Sequence, residues 1–210
     1  MLRSHEESLQ RLGVDAVDIL HIHDPDEHFT DAVQGAYRSL NRLREEGSIK
    51  AVSAGMNQWE MLSKFLDHGD FDCFLLAGRY TLLDQSSLAE LLPKCLKHRT
   101  SIVIGGVYNS GILANPVPGT TYNYVEAPQD LIDRALAMEV ICQRHGVPLK
   151  AAALQFPLGH QAVATVLTGV RSREEWQENL RLFELEVPRD LWLELQYEGM
   201  IGPEVPLPGD

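Results

Sequence analysis

Ala16-Val17-Asp18-Ile19-Leu20-His21-Ile22-His23-Asp24-Pro25 is a β-branched, apolar run stopped by an Asp-Pro turn. Phe29, Val33, Ala36, Tyr37, Leu40 and Leu43 follow at helical spacing, and Gly47 closes that segment. A strand is therefore followed by an amphipathic helix. The same pair recurs downstream. Residues 49–54 precede a helix with Trp59, Leu62, Phe65 and Leu66, ending near Gly69. Residues 71–77 precede one with Leu88, Leu91, Leu92, Cys95 and Leu96. Residues 101–104 lead through a long loop, 105–128, to a helix with Leu131, Ala135, Leu136 and Ile141. Residues 164–167 precede a helix with Trp176, Leu180 and Phe183. An extra helix is predicted over 149–158, and Pro188 opens a last one holding Leu191, Trp192 and Leu195.

Repeated βα pairs demand a parallel sheet, because each helical crossover returns the chain to the same edge. An open doubly wound sheet and part of a barrel both satisfy this. Residues 3–12 read as a helix placed before the first strand, so the chain is expected to begin inside a crossover. A closed parallel barrel takes about eight strands. The expectation is thus α/β, a partial TIM (β/α)8 barrel corresponding to strands 4–8 with their helices. It occupies residues 1–202 as one domain, with a loose Pro/Gly-rich tail at 203–210. Open strand edges predict self-association.

The chain has 210 residues and a formal charge of −12, from 18 basic and 30 acidic side chains. No basic stripe interrupts the acidity, which argues against nucleic acid and anionic membranes as partners. Cys73, Cys95 and Cys142 are scattered and form no CxxC pair, as expected of reduced thiols in a cytoplasmic protein. The N-terminus carries no apolar signal core, and no apolar run is long enough for a membrane span.

His21 and His23 alternate along one strand and so share a face, with His23 at the carboxyl end where barrel enzymes place their chemistry. Both could be packing or loop residues. Both could be zinc ligands of a metal-dependent barrel hydrolase. That needs further ligands at later strand ends, which read Ala54-Gly55, Ala77-Gly78, Gly105-Gly106 and Thr168-Gly169. No metal is therefore expected.

A third reading comes from five stretches in order. Gly13-Val14-Asp15, with Asp18-Ile19-Leu20, Ile22-His23 and Pro25, resembles the strand-four signature of the aldo-keto reductases. Leu43, Glu46-Gly47 and Ile49-Lys50-Ala51 resemble that family's approach to strand five, and Tyr80-Thr81-Leu82-Leu83 its segment after strand six. Asn109-Ser110-Gly111-Ile112-Leu113 is similar to its loop after strand seven, and Gly169-Val170-Arg171-Ser172 with Glu178-Asn179 to its cofactor segment after strand eight. The wording looks most like the sugar and pyridoxal dehydrogenase branch.

The resemblance implies hydride transfer between a nicotinamide and a carbonyl or alcohol, with an aldose or similar small molecule as substrate. The family uses a tyrosine acid/base tuned by a lysine and an aspartate, and a histidine that orients the substrate oxygen. The histidine maps to His23, and the other three have no counterpart here. Tyr80 and Tyr108 lie near strand ends without a lysine placed to activate them. Asn57 is expected to hold the nicotinamide carboxamide. Asn109, Ser110, Gly111 and Leu113 are expected to cradle the pyrophosphate, although Asn-Ser-Gly is also a plain turn. Gly169, Arg171 and Ser172 would meet the adenosine phosphate, with Glu175 and Asn179 beside the adenine. Ser172-x-x-Glu175 is equally a helix capping box. The cofactor is NAD or NADP. Glu175 would repel a 2′-phosphate, which leans toward NAD. The chain alone is then expected to be weak or inactive, and a non-catalytic nucleotide-binding or interaction module is the alternative.

Overall fold

The computed structural model describes residues 2–209. The elements run α1 (Leu2–Leu12), β1 (Ile19–His23), α2 (Phe29–Asp31), a π-helical stretch (Ala32–Tyr37), α3 (Arg38–Glu45), β2 (Ala51–Met56), α4 (Trp59–Phe65), β3 (Cys73–Ala77), α5 (Leu91–His98) and β4 (Ser101–Gly105). They continue with the two-residue strands β5 (Thr121–Tyr122) and β6 (Val125–Glu126), then α6 (Gln129–Arg144), α7 (Leu149–Gln155), β7 (Val163–Leu167), α8 (Arg173–Glu184) and α9 (Arg189–Tyr197). The five longer strands are hydrogen-bonded in the order β1-β2-β3-β4-β7, as the repeated βα pattern requires. The pairs β1–β2 and β2–β3 are parallel, with His23 opposite Gly55 and Ser53 opposite Cys73.

By internal contacts the chain forms two compact units, which β3 and β4 both enter. Unit 1 comprises residues 1–76 and 89–102. Its core is aromatic: Phe65, Phe71 and Phe74 are buried, and the Phe71 ring lies 5.3 Å from Phe65 and 5.1 Å from Phe74. Tyr37 joins them from the π-helical stretch, 4.9 Å from Phe71, and its hydroxyl accepts from the Asp70 N–H at 2.8 Å. Glycine suits position 69, because a Cβ there would run into the Tyr37 ring. Burial of this kind contributes about 1.5–3 kcal/mol per large side chain.

Unit 2 comprises residues 77–88 and 103–210. Tyr80, Phe156 and Trp192 are its largest fully buried side chains, stacked 5.4 Å and 6.4 Å apart. In unit 1, α5 begins at Leu91 rather than 88, because Asp84 Oδ1 accepts from the Ser86 N–H at 2.9 Å and closes a turn first. The extra helix stops at Gln155, ahead of Pro157 in a short 3₁₀ segment (Phe156–Gly159). The long loop contains an antiparallel ribbon, β5 with β6. The segment from Pro203, expected to be loose, is packed over its described part. Val205 and Leu207 are buried, Gln196 Nε2 donates to the Gly202 and Val205 carbonyls, and Gly159 leaves room for the Pro206 carbonyl. Two apolar side chains outweigh the Pro/Gly composition there.

Candidate functional site

In unit 1, His23 ends β1 with its side chain 82 % exposed and Nε2 3.6 Å from Asp24 Oδ2. Asp24 takes a left-handed conformation, φ 40°, and its N–H donates to the Gly55 carbonyl at 3.1 Å. That bond ties the end of β1 to β2. His21 shares the face, and a Cβ on Gly55 would lie 3.9 Å from its Nδ1. Partial desolvation, and then the neighbouring His23, hold the His21 imidazole below its ordinary pKa. Asn57 lies just beyond β2 and is half-buried. Among the described residues, no three His, Cys, Asp or Glu side chains gather as a metal site.

In unit 2, the ends of β3 and β4 abut. Gly78 N–H donates to the Gly105 carbonyl at 2.9 Å, and a Cβ on Gly106 would sit 3.2 Å from the Gly78 nitrogen. Asn109, Ser110 and Gly111 then take three successive left-handed conformations, φ 45°, 60° and 111°. Their side chains part company. Ser110 is exposed and lines a cleft of about 240 Å³ with Gly106, Tyr108, Gly111, Thr168 and Gly169. Its Oγ accepts from the Tyr124 N–H at 3.2 Å, which leaves its hydroxyl hydrogen available. Asn109 is turned inward and buried; its Nδ2 donates to the Gly78 carbonyl at 3.2 Å while its Oδ1 has no partner. Leu113 is fully buried, and its N–H donates to the Tyr108 carbonyl. Asn109 and Leu113 thus anchor the turn from behind, while Ser110 and Gly111 face the cleft.

A second hollow of about 260 Å³ shares Tyr108 and Gly169 with the first and adds Arg171, Glu175, Lys150, Glu178 and Asn179. It lies at the N-terminus of α8. Ser172 caps that helix, its Oγ accepting from the Glu175 N–H at 3.2 Å. Glu175 reaches back one residue further than a standard capping box, to the Arg171 N–H at 2.7 Å. Its other oxygen accepts from the Arg171 guanidinium at 2.9 Å and 3.2 Å. The Arg171 N–H first, and then its guanidinium, hold the Glu175 carboxyl below the usual range. Lys150 Nζ donates to Glu178 at 2.8 Å. Asn179 accepts from the Tyr108 hydroxyl at 3.1 Å and donates to Thr168 Oγ1 at 3.3 Å. Tyr108, Lys150 and Thr168 were not singled out as binding residues from the sequence, because α7 packing on α8 brings Lys150 to Glu178, and long-range hydrogen bonds to Asn179 bring in Tyr108 and Thr168.

Neither tyrosine near a strand end is poised as an acid. Burial, then Glu178, pushes the Tyr108 phenol up to about 12. Tyr80 is fully buried, which raises its phenol further still. The hollow at α8 places a capped helix N-terminus and a guanidinium together, a combination that favours an anionic ligand.

The sequence model of the aldo/keto reductase family matches residues 1–196. The chain belongs to the aldo/keto reductase family. It is 42 % identical over 212 residues to pyridoxal 4-dehydrogenase of Microbacterium luteolum, covering 96 % of this chain and 62 % of that protein. It is 40 % identical over 192 residues to D-threo-aldose 1-dehydrogenase of a Pseudomonas species, covering 90 % and 58 %. This aldo/keto reductase chain therefore spans about three fifths of the length of these relatives. Its fold matches a solved aldo-keto reductase of Bacillus halodurans in holo form, with TM-score 0.73 and 22 % identity over 93 % of this chain and 65 % of that one. It also matches glycerol dehydrogenase of Gluconobacter oxydans, with TM-score 0.70 and 20 % identity over 99 % and 65 %.

Proposed function

We propose that this chain is the cofactor-holding part of an NAD(P)-dependent oxidoreductase that interconverts a small carbonyl compound, such as an aldose, and its oxidised or reduced partner. Its parallel sheet is read as strands 4–8 of an eight-stranded barrel. The observation that carries the reading is the hollow at the capped N-terminus of α8, which shares Tyr108 and Gly169 as lining residues with the cleft at Ser110 and Gly111. The residues there suit a dinucleotide. Ser110, Gly111 and Gly169 would hold the pyrophosphate, and Arg171, Ser172, Glu175 and Asn179 the adenosine end. A bound nicotinamide supplies or accepts the hydride. Asn57 would hold its carboxamide, and His23 would donate to the substrate oxygen and fix its orientation. Asn109 and Leu113 act through the turn they anchor.

NAD is favoured over NADP. Arg171 is an exposed cation of the hollow, and one Glu175 oxygen already accepts from its guanidinium while the other accepts from its backbone N–H. Lys150 is likewise paired, with Glu178. A 2′-phosphate would have to displace a carboxylate from its own guanidinium.

With Tyr80 and Tyr108 buried or bonded, the chain alone is expected to bind NADH yet turn over aldose or pyridoxal at a trace rate. Calorimetry with NADH and NADPH, followed by an absorbance assay, tests this. Glu175→Gln is expected to narrow the NADH preference by about five- to tenfold, the scale of one or two exposed charge contacts. No binding of either nucleotide by the folded chain would sink the reading, and so would rapid turnover by the chain alone.

A further inference from the structure

The two faces of the unit 1 sheet differ in chemistry. One is apolar and buried, with Ile22 on β1, Val52 and Ala54 on β2, and Phe74 and Leu76 on β3. The other is mostly polar, and the strand register sets it in two rows. His21, Ser53 and Cys73 form the deeper row, and His23, Gly55 and Leu75 the row at the carboxyl ends.

The His21 imidazole reaches out of its own row. Its Nδ1 would lie 3.9 Å from a Cβ on Gly55, and Gly55 is the register partner of His23. The ring thus leans up the strand into space that a bare glycine leaves open. It stands beside the imidazole that the proposed function puts at the substrate oxygen. Two residues along a strand are only about 7 Å apart, so two charged rings here would repel.

The surroundings balance one such charge and not two. The carboxylate that reaches the pair is Asp24, with Oδ2 3.6 Å from His23 Nε2. Asp26 and Glu27 stand on the exposed turn that follows. β2 carries no titratable side chain. From β3 comes Cys73, whose thiol burial holds above its ordinary value and so uncharged. The π-helical stretch contributes Tyr37, whose hydroxyl is engaged by the Asp70 N–H. Partial desolvation, and then His23, act on His21 in the same sense, against its charged form.

We propose that His21 is a positioning residue of the site: it fills the space over Gly55 as an uncharged ring, so that this face carries one imidazolium at most and His23 is the imidazole that brings it to the substrate oxygen. His21 has this role only if His23 meets the substrate as proposed above.

Proton NMR titration of the full chain tests this. The ring signals of the eight histidines are followed from pH 8 to pH 5, and His21→Gln and His23→Asn assign the pair. His21 should take up its proton below pH 6.5. In His23→Asn its midpoint should rise by a few tenths of a pH unit, the scale of one charge about 7 Å away in a water-accessible setting. It should stay below 6.5, because desolvation is the larger cause. A ring that is merely packed would keep its midpoint in that variant. Coupling between two titrating groups is reciprocal, so the shift read at His21 also measures what a charge at 21 does to His23. The His23 side chain is 82 % exposed, so the variant should keep the fold, and far-ultraviolet dichroism checks that it does. A His21 midpoint at or above 6.5 would overturn the proposal, and so would one that ignores His23→Asn. Calorimetry with NADH on the same samples separates the two readings. Coupled titration without nucleotide binding would sink the proposed function, and with it the use of the charge, while the coupled pair would stand. Nucleotide binding with independent titrations would remove the role of His21 and leave the proposed function.

Discussion

α7 and α8 flank the same strand, and their energetics are opposite. α7 buries five of its seven residues, Leu149, Ala151, Ala152, Ala153 and Leu154. α8 buries none of its twelve. Beside its partial apolar packing, α8 is held by polar contacts. Gln155 Nε2 donates to the Leu182 and Leu185 carbonyls at 2.8 Å each, Lys150 pairs with Glu178, and Asn179 bonds Tyr108 and Thr168. Each such contact contributes on the order of 1 kcal/mol or less, against several for a buried leucine. α7 is therefore a core element, and α8 is a surface helix whose apolar side chains Trp176, Leu180 and Phe183 are about half exposed.

The same deletion on the two helices should carry very different costs. Leu154→Ala removes a side chain that is 2 % exposed and should cost about 2–5 kcal/mol. Leu180→Ala removes one that is 40 % exposed and should cost about 0.5 kcal/mol or less. Urea unfolding of the two variants reads both numbers. Equal costs would mean that α8 is covered in solution.

The same contrast explains what the sequence could tell. Both helices show apolar residues at helical spacing, and spacing carries no information about whether a face finds a partner. Trp176, Leu180 and Phe183 fit that spacing and are about half exposed. The long strands were legible because β-branched runs bounded by Gly and Pro leave few alternatives. The ribbon of β5 and β6 was not, because each strand has two residues and the turn between them, Asn123-Tyr124, takes left-handed conformations without glycine. Asn109-Ser110-Gly111 was legible as a turn. Which of its side chains meets the cleft depends on the fold around Gly78, so the inward turn of Asn109 was hidden. The capping of α8 by Ser172 was readable from four residues; the reach of Glu175 past the cap to Arg171 was not.

A smaller effect is expected at that cap. Ser172→Ala removes the acceptor for the Glu175 N–H and should cost about 1 kcal/mol. The loss should stay local to α8. Hydrogen exchange should quicken in the first turn of α8 and hardly change in α7, and NADH affinity should fall alongside. Uniform quickening through both helices would mean that the two form one cooperative unit.

The finest distinction lies in acid sensitivity. Beyond α7, His160 is buried against the Tyr80 ring, and its Nδ1 accepts from the Ala162 N–H at 3.1 Å. Burial holds this imidazole below its ordinary 6.5. The folded state therefore prefers the neutral ring. The stabilisation is complete above pH 6.5 and drains as the pH falls toward the folded-state pKa, because the unfolded chain takes up the proton first. At α8 the depressed group is the Glu175 carboxylate, whose ordinary value is 4.5. Its contribution persists through mild acid and is lost only below that value. Acid should therefore weaken the His160 side of the comparison one window earlier than the α8 cap. Thermal unfolding of the wild type should soften between pH 7.5 and 5.5, and His160→Gln should flatten that slope. A wild-type curve as flat as the variant's would show that the imidazole is not held neutral, and that burial near α7 is looser than the packing around Tyr80 requires.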